Sequence, residues 1–166
     1  MPSEAVEAFK VDLAKDPSNP EAVASRHAVG VGPSPLEPFR KVIDQAFDHD
    51  TVEAIVEALH KDGGEWALSQ AAVLETKSPT SLKVTLRHLL AGADAASFGQ
   101  NMAMEYALSG RIGSTHDFQE GVRAVIIDKD NAPAWAPSRL SDVQDATLDA
   151  LFEPLASREA WTPFEG

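Results

Sequence analysis

Residues 51–63, TVEAIVEALHKDG, carry the pattern that decides the fold of this chain. Asp50 and Thr51 are residues that accept hydrogen bonds at the start of a helix. The apolar residues that follow recur three or four positions apart, the spacing of one helix face: Val52, Ile55, Val56 and Leu59. Gly63 and Gly64 then end the helix, because glycine adopts a left-handed backbone conformation at low cost. The stretch predicts one amphipathic helix with a defined start and stop.

The same pattern recurs on both sides of this stretch. Ser78-Pro79 opens a helix that stops at Gly92 and carries Leu82, Leu86, Leu89 and Leu90. A helix over 116–127 is predicted to turn four apolar side chains inward: Phe118, Val122, Val125 and Ile126. No run of four or more residues alternates apolar and polar side chains with the β-branched enrichment of a strand. The prediction is an all-α fold of seven or eight helices.

Composition narrows the class of protein. The chain has 166 residues, 43% of them hydrophobic, and a formal net charge of −12 from 26 acidic and 14 basic residues. Because negative charge repels polyphosphate, nucleic-acid binding is disfavoured. No window approaches the roughly 18 uncharged apolar residues of a membrane span, so no membrane association is expected. The acidic N-terminus is unlike an export signal, and we therefore expect a cytoplasmic protein.

The motifs of familiar catalytic and metal sites are missing from the sequence. It contains no cysteine, and its five histidines form no H-x-x-x-H or H-E-x-x-H pair. There is no G-x-S-x-G elbow and no Walker-type loop. Gly30-Val31-Gly32 is followed by prolines where the helix of a dinucleotide site would begin. We predict no catalytic residue, no metal ion and no cofactor on this chain.

A cationic cluster lies on the predicted helix 79–91. Lys83 and Arg87 are four residues apart, with Lys77 and His88 close by in sequence. The cluster could hold a phosphate group, or it could be a solvated helix face with local ion pairs. The second interpretation is favoured.

Glu105 falls on the apolar face of its helix, three residues after Met102 and seven after Phe98. A carboxylate there must be paired or neutral, because an unpaired buried charge is costly. A general acid or base is one interpretation. A structural ion pair is favoured, with Arg123 as the first partner and Arg111 as the second.

Three blocks of sequence together resemble a known family: TVEAIVEALHKDG (51–63), KSPTSLKVTLRHLLAG (77–92), and MEYALS with HDFQEGVRAVIIDKDNAPAW (within 104–135). They resemble the C-terminal part of 3-hydroxyisobutyryl-CoA hydrolases, a branch of the enoyl-CoA hydratase/isomerase (crotonase) superfamily. This resemblance implies that residues 1–38 are the linker and short helices after a missing catalytic core, and that residues 39–166 are the helical C-terminal region. The β-spiral, the oxyanion hole and the catalytic carboxylates of such enzymes lie in the preceding half.

The resemblance carries further expectations about function. The family hydrolyses a short 3-hydroxyacyl-CoA thioester in valine breakdown, but this chain alone should not be catalytic, since an oxyanion hole needs a rigid core. Lys83, Arg87 and Lys129 become candidates for contact with CoA phosphates. The implied partners are acyl-CoA, a crotonase-type core in the same parent chain or a separate one, and further copies in a homo-oligomer. Two alternatives stay open: the corresponding part of an enoyl-CoA hydratase/isomerase, which the DKD-x-x-P-x-W block disfavours, and a free-standing helical interaction module.

Overall fold

The computed structural model describes residues 1–30, 32–156 and 159, and over these residues the fold is all-α, as predicted. The described part contains nine α-helices and no strand, one helix more than the upper end of the prediction. Prolines and glycines divide the helical sequence into short segments: Val6–Lys15 (α1), Pro20–His27 (α2), Arg40–Ala46 (α3), Val52–Asp62 (α4), Glu65–Glu75 (α5), Pro79–Ala93 (α6), Phe98–Ile112 (α7), His116–Val122 (α8) and Asp145–Phe152 (α9). Within the described residues, no helix is both long enough and apolar enough to cross a membrane.

The chain divides into two compact units, Met1–Pro38 and Phe39–Gly166. Two parts of the sequence analysis lie outside the described residues. They are Val31, within Gly30-Val31-Gly32, and residues 157–158 and 160–166 at the end of the predicted C-terminal region. In the first unit α1 packs on α2. His27 Nε2 lies 3.0 Å from Asp12 Oδ2, and this hydrogen bond, together with one from Lys15, lowers the pKa of the Asp12 carboxyl.

The second unit has two hydrophobic clusters. The first joins α3, α4 and α5 through Ala46, Ile55, Leu59, Ala67 and Ala71. The second joins α6, α7 and α9 through Val84, Leu108, Val143, Leu148 and Leu151. Ile55 and Leu59, on the predicted apolar face of α4, are buried. Leu148 and Leu151 are three residues apart, a spacing that predicts one inward face for α9, and both are buried as well.

The boundaries of α4 and α6 agree with the sequence prediction. Thr51 Oγ1 accepts from the Ala54 N–H at 3.2 Å, Ser78 Oγ accepts from the Ser81 N–H at 3.0 Å, and Gly63 has a φ of 71°. Asp94 is a residue type that caps helices and predicts the start of α7 at that position. The cap instead lies at Ser97, whose Oγ accepts from the Gln100 N–H at 3.1 Å.

The predicted helix 116–127 changes type partway along. It is α-helical only to Val122, and residues Arg123–Ile127 form a π-helical turn. The Asp128 N–H donates to the Arg123 carbonyl, five residues back, at 2.8 Å. This wider turn rotates the side chains that follow. The inward placement predicted for Val125 and Ile126 is therefore wrong, and both are exposed. The inward placement predicted for Phe118 is wrong for a different reason, since it precedes the π-helical turn and the buried position of α8 is its neighbour Asp117.

Candidate functional site

Lys83 and Arg87 each tie α6 to a neighbouring helix. Lys83 Nζ lies 2.7 Å from Glu53 Oε1 on α4, and Arg87 Nη1 lies 2.7 Å from Asp149 Oδ1 on α9. The Arg87 guanidinium also lies over the Phe152 ring, 4.7 Å from its centroid. The cationic cluster thus makes ion pairs, as the favoured interpretation predicted, but the partners lie on other helices and are not local.

A cavity of about 280 Å³ opens beside these two ion pairs. Lys83, Arg87 and Glu53 line it together with apolar side chains of α6 and α9, among them Leu86 and Leu148. Each cation there already faces a carboxylate, which offsets much of the positive charge that would attract a phosphate.

Lys129, the third phosphate candidate, lies on a different element. It sits in the turn after the π-helical segment, with a φ of 56°, and its side chain is exposed. Asn131, two residues later, has a φ of 53°. Two non-glycine residues with left-handed backbone in one turn require support from the surroundings.

The predicted ion pair of Glu105 is corrected by the structure. Glu105 Oε1 lies 3.6 Å from His88 Nε2 and 3.5 Å from Asn101 Nδ2, and its side chain is 44% exposed. Arg111 instead donates to the backbone carbonyls of Leu151, Glu153 and Pro154. The prediction failed because the side of α7 that carries Glu105 is only partly covered, so the carboxylate keeps contact with solvent and needs no arginine.

Arg123 lies at the centre of a local network of hydrogen bonds, whereas the sequence predicted that it pairs with Glu105. Its Nε and Nη2 donate to the two carboxylate oxygens of Glu120 at 2.9 and 2.8 Å. Its Nη1 donates to Asp128 at 2.7 Å and to Asp130 at 2.6 Å, and Nη2 also donates to the Ala132 carbonyl at 3.2 Å. These bonds use all five guanidinium N–H groups. We call Arg123, Glu120, Asp128 and Asp130 the arginine cluster.

Two carboxylates of this cluster, Glu120 and Asp130, are stabilised in their charged form. Hydrogen bonds from Arg123, and then one from the Ala134 N–H, lower the pKa of Glu120 to about 2. The pKa of Asp130 is lowered by the Ala132 N–H and by Arg123. Glu120 and Asp130 therefore stay ionised throughout the neutral and mildly acidic range.

A second polar cluster is buried at the N-termini of α6 and α8. The Asp117 side chain is 5% exposed and accepts hydrogen bonds from the Ser78 hydroxyl and from the Ala136 N–H at 2.9 Å. His116 Nδ1 lies 3.0 Å from the same carboxylate. The Trp135 Nε1–H donates to the Thr76 carbonyl at 2.9 Å nearby. The blocks SPT, HDF and DKDNAPAW therefore meet in space, which no local signal in the sequence indicates.

This second cluster is not arranged for nucleophilic catalysis. In a triad the histidine takes the proton of the nucleophile, and the carboxylate lies behind the histidine. Here the carboxylate of Asp117 lies between Ser78 and His116, and the Ser78 oxygen is occupied as the α6 cap. Ser78 is also buried. Among the described residues no group of three or more histidines or carboxylates could hold a metal ion.

The π-helical turn presents three consecutive apolar side chains, Val125, Ile126 and Ile127, which we call the apolar edge. They are 59%, 64% and 69% exposed. Leu89 on α6 and Phe118 on α8 are also exposed. Scattered apolar residues are ordinary on protein surfaces, whereas a contiguous exposed group is a candidate contact surface.

Fold and motifs together define a helical unit from an acyl-CoA-processing enzyme family. The chain belongs to the enoyl-CoA hydratase/isomerase family, whose model matches residues 1–152. Its relatives include the mitochondrial 3-hydroxyisobutyryl-CoA hydrolases of Rattus norvegicus, 45% identical over 117 residues (70% of this chain), and of Danio rerio, 40% identical over 166 residues (95% of this chain). The chain spans only 30% and 43% of the lengths of these two proteins.

Similarity to solved structures indicates the same family. A carnitinyl-CoA dehydratase from Mycobacterium thermoresistibile matches 99% of this chain with a TM-score of 0.80 and 31% identity, over 46% of its own length. An enoyl-CoA hydratase from Rhodobacter sphaeroides matches 87% with a TM-score of 0.69 and 27% identity, over 44% of its length. The predicted resemblance to a crotonase-family helical part is confirmed.

Proposed function

We propose that this chain is the C-terminal helical portion of a 3-hydroxyisobutyryl-CoA hydrolase-like thioester hydrolase, packs on a crotonase-type catalytic core, and is not catalytic alone. The observation that carries the proposal is the 40% identity to the Danio rerio hydrolase, extending over 95% of this chain. The whole enzyme would then cleave a short 3-hydroxyacyl-CoA thioester, as in valine breakdown, into the free acid and CoA.

The side-chain geometry supports a structural role for this portion. Asp117 and Glu120 are both held by hydrogen bonds from neighbouring donors, and Ser78 is buried. These groups support the fold and are not presented to a substrate. Catalysis in the whole enzyme is therefore the task of the core.

Contact with CoA phosphates by Lys83, Arg87 and Lys129 belongs to the same proposal. Lys83 and Arg87 are each paired with a carboxylate that offsets their charge, whereas Lys129 is exposed on its turn. In the whole enzyme, we therefore expect Lys129→Ala to raise KM for the acyl-CoA substrate more than Lys83→Ala does.

The experiment is a chimera in which this chain replaces the matching 43% of the Danio rerio hydrolase. We expect the chimera to release CoA from 3-hydroxyisobutyryl-CoA, and this chain alone to give no release above buffer. Turnover by the chain alone, abolished by a point mutation within it, would overturn the structural role. A folded chimera without hydrolase activity would overturn the assignment to the hydrolase branch.

The second candidate is the corresponding part of an enoyl-CoA hydratase. It is favoured by the two similar crystal structures, which are of a dehydratase and a hydratase. To distinguish the two candidates, a second chimera carries this chain in place of the matching part of the Rhodobacter sphaeroides hydratase. Its hydration of a 2-enoyl-CoA is then measured. Activity in that chimera but not in the hydrolase chimera decides for the second candidate.

A further inference from the structure

The apolar edge, Val125–Ile127, is the most exposed run of consecutive apolar side chains that the described residues contain. Exposure rises along it from 59% to 69%. Three consecutive side chains on a π-helical turn cannot all face one core, since successive helical residues point in different directions. Part of this edge must face away from the helix's own unit.

The edge is held rigidly. On one side Arg123 binds Glu120, and on the other it binds Asp128 and Asp130. The Asn131 N–H closes the turn onto the Ala124 carbonyl at 3.0 Å. A surface that is ordered before it binds loses little conformational entropy on docking.

The lengths of the relatives indicate what covers the edge. The dehydratase crystal structure contains the fold of this chain over only 46% of its own length, and the Danio rerio hydrolase matches it over 43%. More than half of each relative is thus attached to a helical unit of this kind. We propose that the apolar edge is the docking contact through which this helical unit seats on the crotonase-type catalytic core. The inference rests on the proposed function and adds the residues that make the contact.

The absence of cysteine allows a direct test, because every introduced thiol is the only one on this chain. Ile126→Cys reports on the apolar edge, and Val73→Cys on α5, which is 51% exposed, is the matched control. Each variant is placed in the Danio rerio chimera and, separately, in this chain diluted to a concentration at which light scattering gives a monomer. Maleimide labelling of each introduced thiol is followed by peptide mass spectrometry.

We expect the Ile126→Cys thiol to label about tenfold more slowly in the chimera than in the monomeric chain, since an interface core excludes solvent. The Val73→Cys thiol should label at the same rate in both. Equal rates for Ile126→Cys in an active chimera would overturn the docking contact and leave the proposed function intact. Protection that appears only as the concentration rises would overturn it in favour of a second copy. A folded but inactive chimera that still protects Ile126→Cys would support the contact and contradict the hydrolase assignment.

Discussion

Arg123 donates all five of its N–H groups to atoms between residues 120 and 132. Because a guanidinium is planar and can bind a carboxylate through two parallel bonds, its contact with Glu120 fixes both direction and distance. The other bonds hold a turn in which Lys129 and Asn131 have left-handed backbone. One side chain thus stabilises the conformation of about a dozen residues.

Arg123→Met should lower the melting temperature clearly, because it leaves three carboxylates without their shared partner. Arg123→Lys should recover only part of the loss, since an ammonium cannot bind Glu120 through two parallel bonds. Arg139→Met is the matched control, because Arg139 pairs with a single carboxylate, Asp142, at 3.3 Å and is largely exposed. Differential scanning calorimetry measures all three. An equal effect of Arg123→Met and Arg139→Met would contradict the network.

The lowered pKa of Glu120, about 2 against an ordinary 4.5, predicts a pH dependence of stability. A carboxyl whose pKa is lower in the folded state stabilises the fold above its unfolded pKa and loses that contribution as the pH falls through its folded pKa. The difference in melting temperature between the wild type and Glu120→Gln should therefore be constant near neutrality and shrink between pH 4.5 and pH 2. A difference that stays constant down to pH 2 would show that the charge of Glu120 does not stabilise the fold.

At the scale of single side chains, the sequence identified the residues better than their partners. Arg123 was expected to pair with Glu105, but carboxylates at positions 120, 128 and 130 lie closer along the chain and in space. The π-helical turn brings them together, and no residue pattern distinguished that turn from an α-helix. The partner could not be predicted because the backbone that positions it could not be predicted.

Among the secondary-structure elements, α6, α8 and the segment 134–137 depend on one buried carboxylate. Asp117 joins them through Ser78 and the Ala136 N–H. A buried donor left without its acceptor costs roughly 1–3 kcal/mol. Asp117→Ala leaves the buried Ser78 hydroxyl without its acceptor and also removes the acceptor of the Ala136 N–H. We expect Asp117→Ala to be among the most destabilising single substitutions in this chain.

Chemical denaturation of Asp117→Ala and Asp117→Asn measures this effect. Asn keeps a carbonyl oxygen as acceptor and should retain part of the stability. Asp44→Ala serves as the control, because Asp44 is an exposed carboxylate on α3 and belongs to neither polar cluster. Should Asp117→Ala unfold at the same denaturant concentration as Asp44→Ala, the buried cluster would have no net stabilising role.

Helices and their stripes were predictable where local chemistry decides. Thr51 and Ser78 cap the N-termini of α4 and α6, and Gly63 ends α4, as their residue types indicate. The sequence prediction was wrong at the start of α7 and at the π-helical turn. Asp94 and Ser97 are both competent caps, and the choice between them depends on where the helix packs, which a single sequence does not record.

At the scale of the whole molecule, the family was predictable because three separated blocks occur in order, and in space the second and third meet at the buried cluster around Asp117. What covers the apolar edge was not predictable, because inward and outward faces of Val125 and Ile126 were assigned from an α-helical period that the backbone does not keep. Exposure of these residues is therefore the main new information that the structure adds about interaction.

The last prediction concerns this chain alone. Val125, Ile126, Ile127 and Leu89 are each more than half exposed, and apolar surface of this kind is stabilised when it leaves water. Without a core to cover it, we expect the chain to self-associate, with a light-scattering mass that rises above 17.8 kDa as concentration increases, and to bind a hydrophobic dye. Ile126→Asp should weaken both the self-association and the dye binding. It should not change the helical circular dichroism signal, because that side chain lies outside the two hydrophobic clusters. The control variant Val73→Asp on α5 should leave self-association and dye binding unchanged. A monomer at every concentration, with no dye binding, would show that the apolar edge requires no cover and would favour an independent helical module.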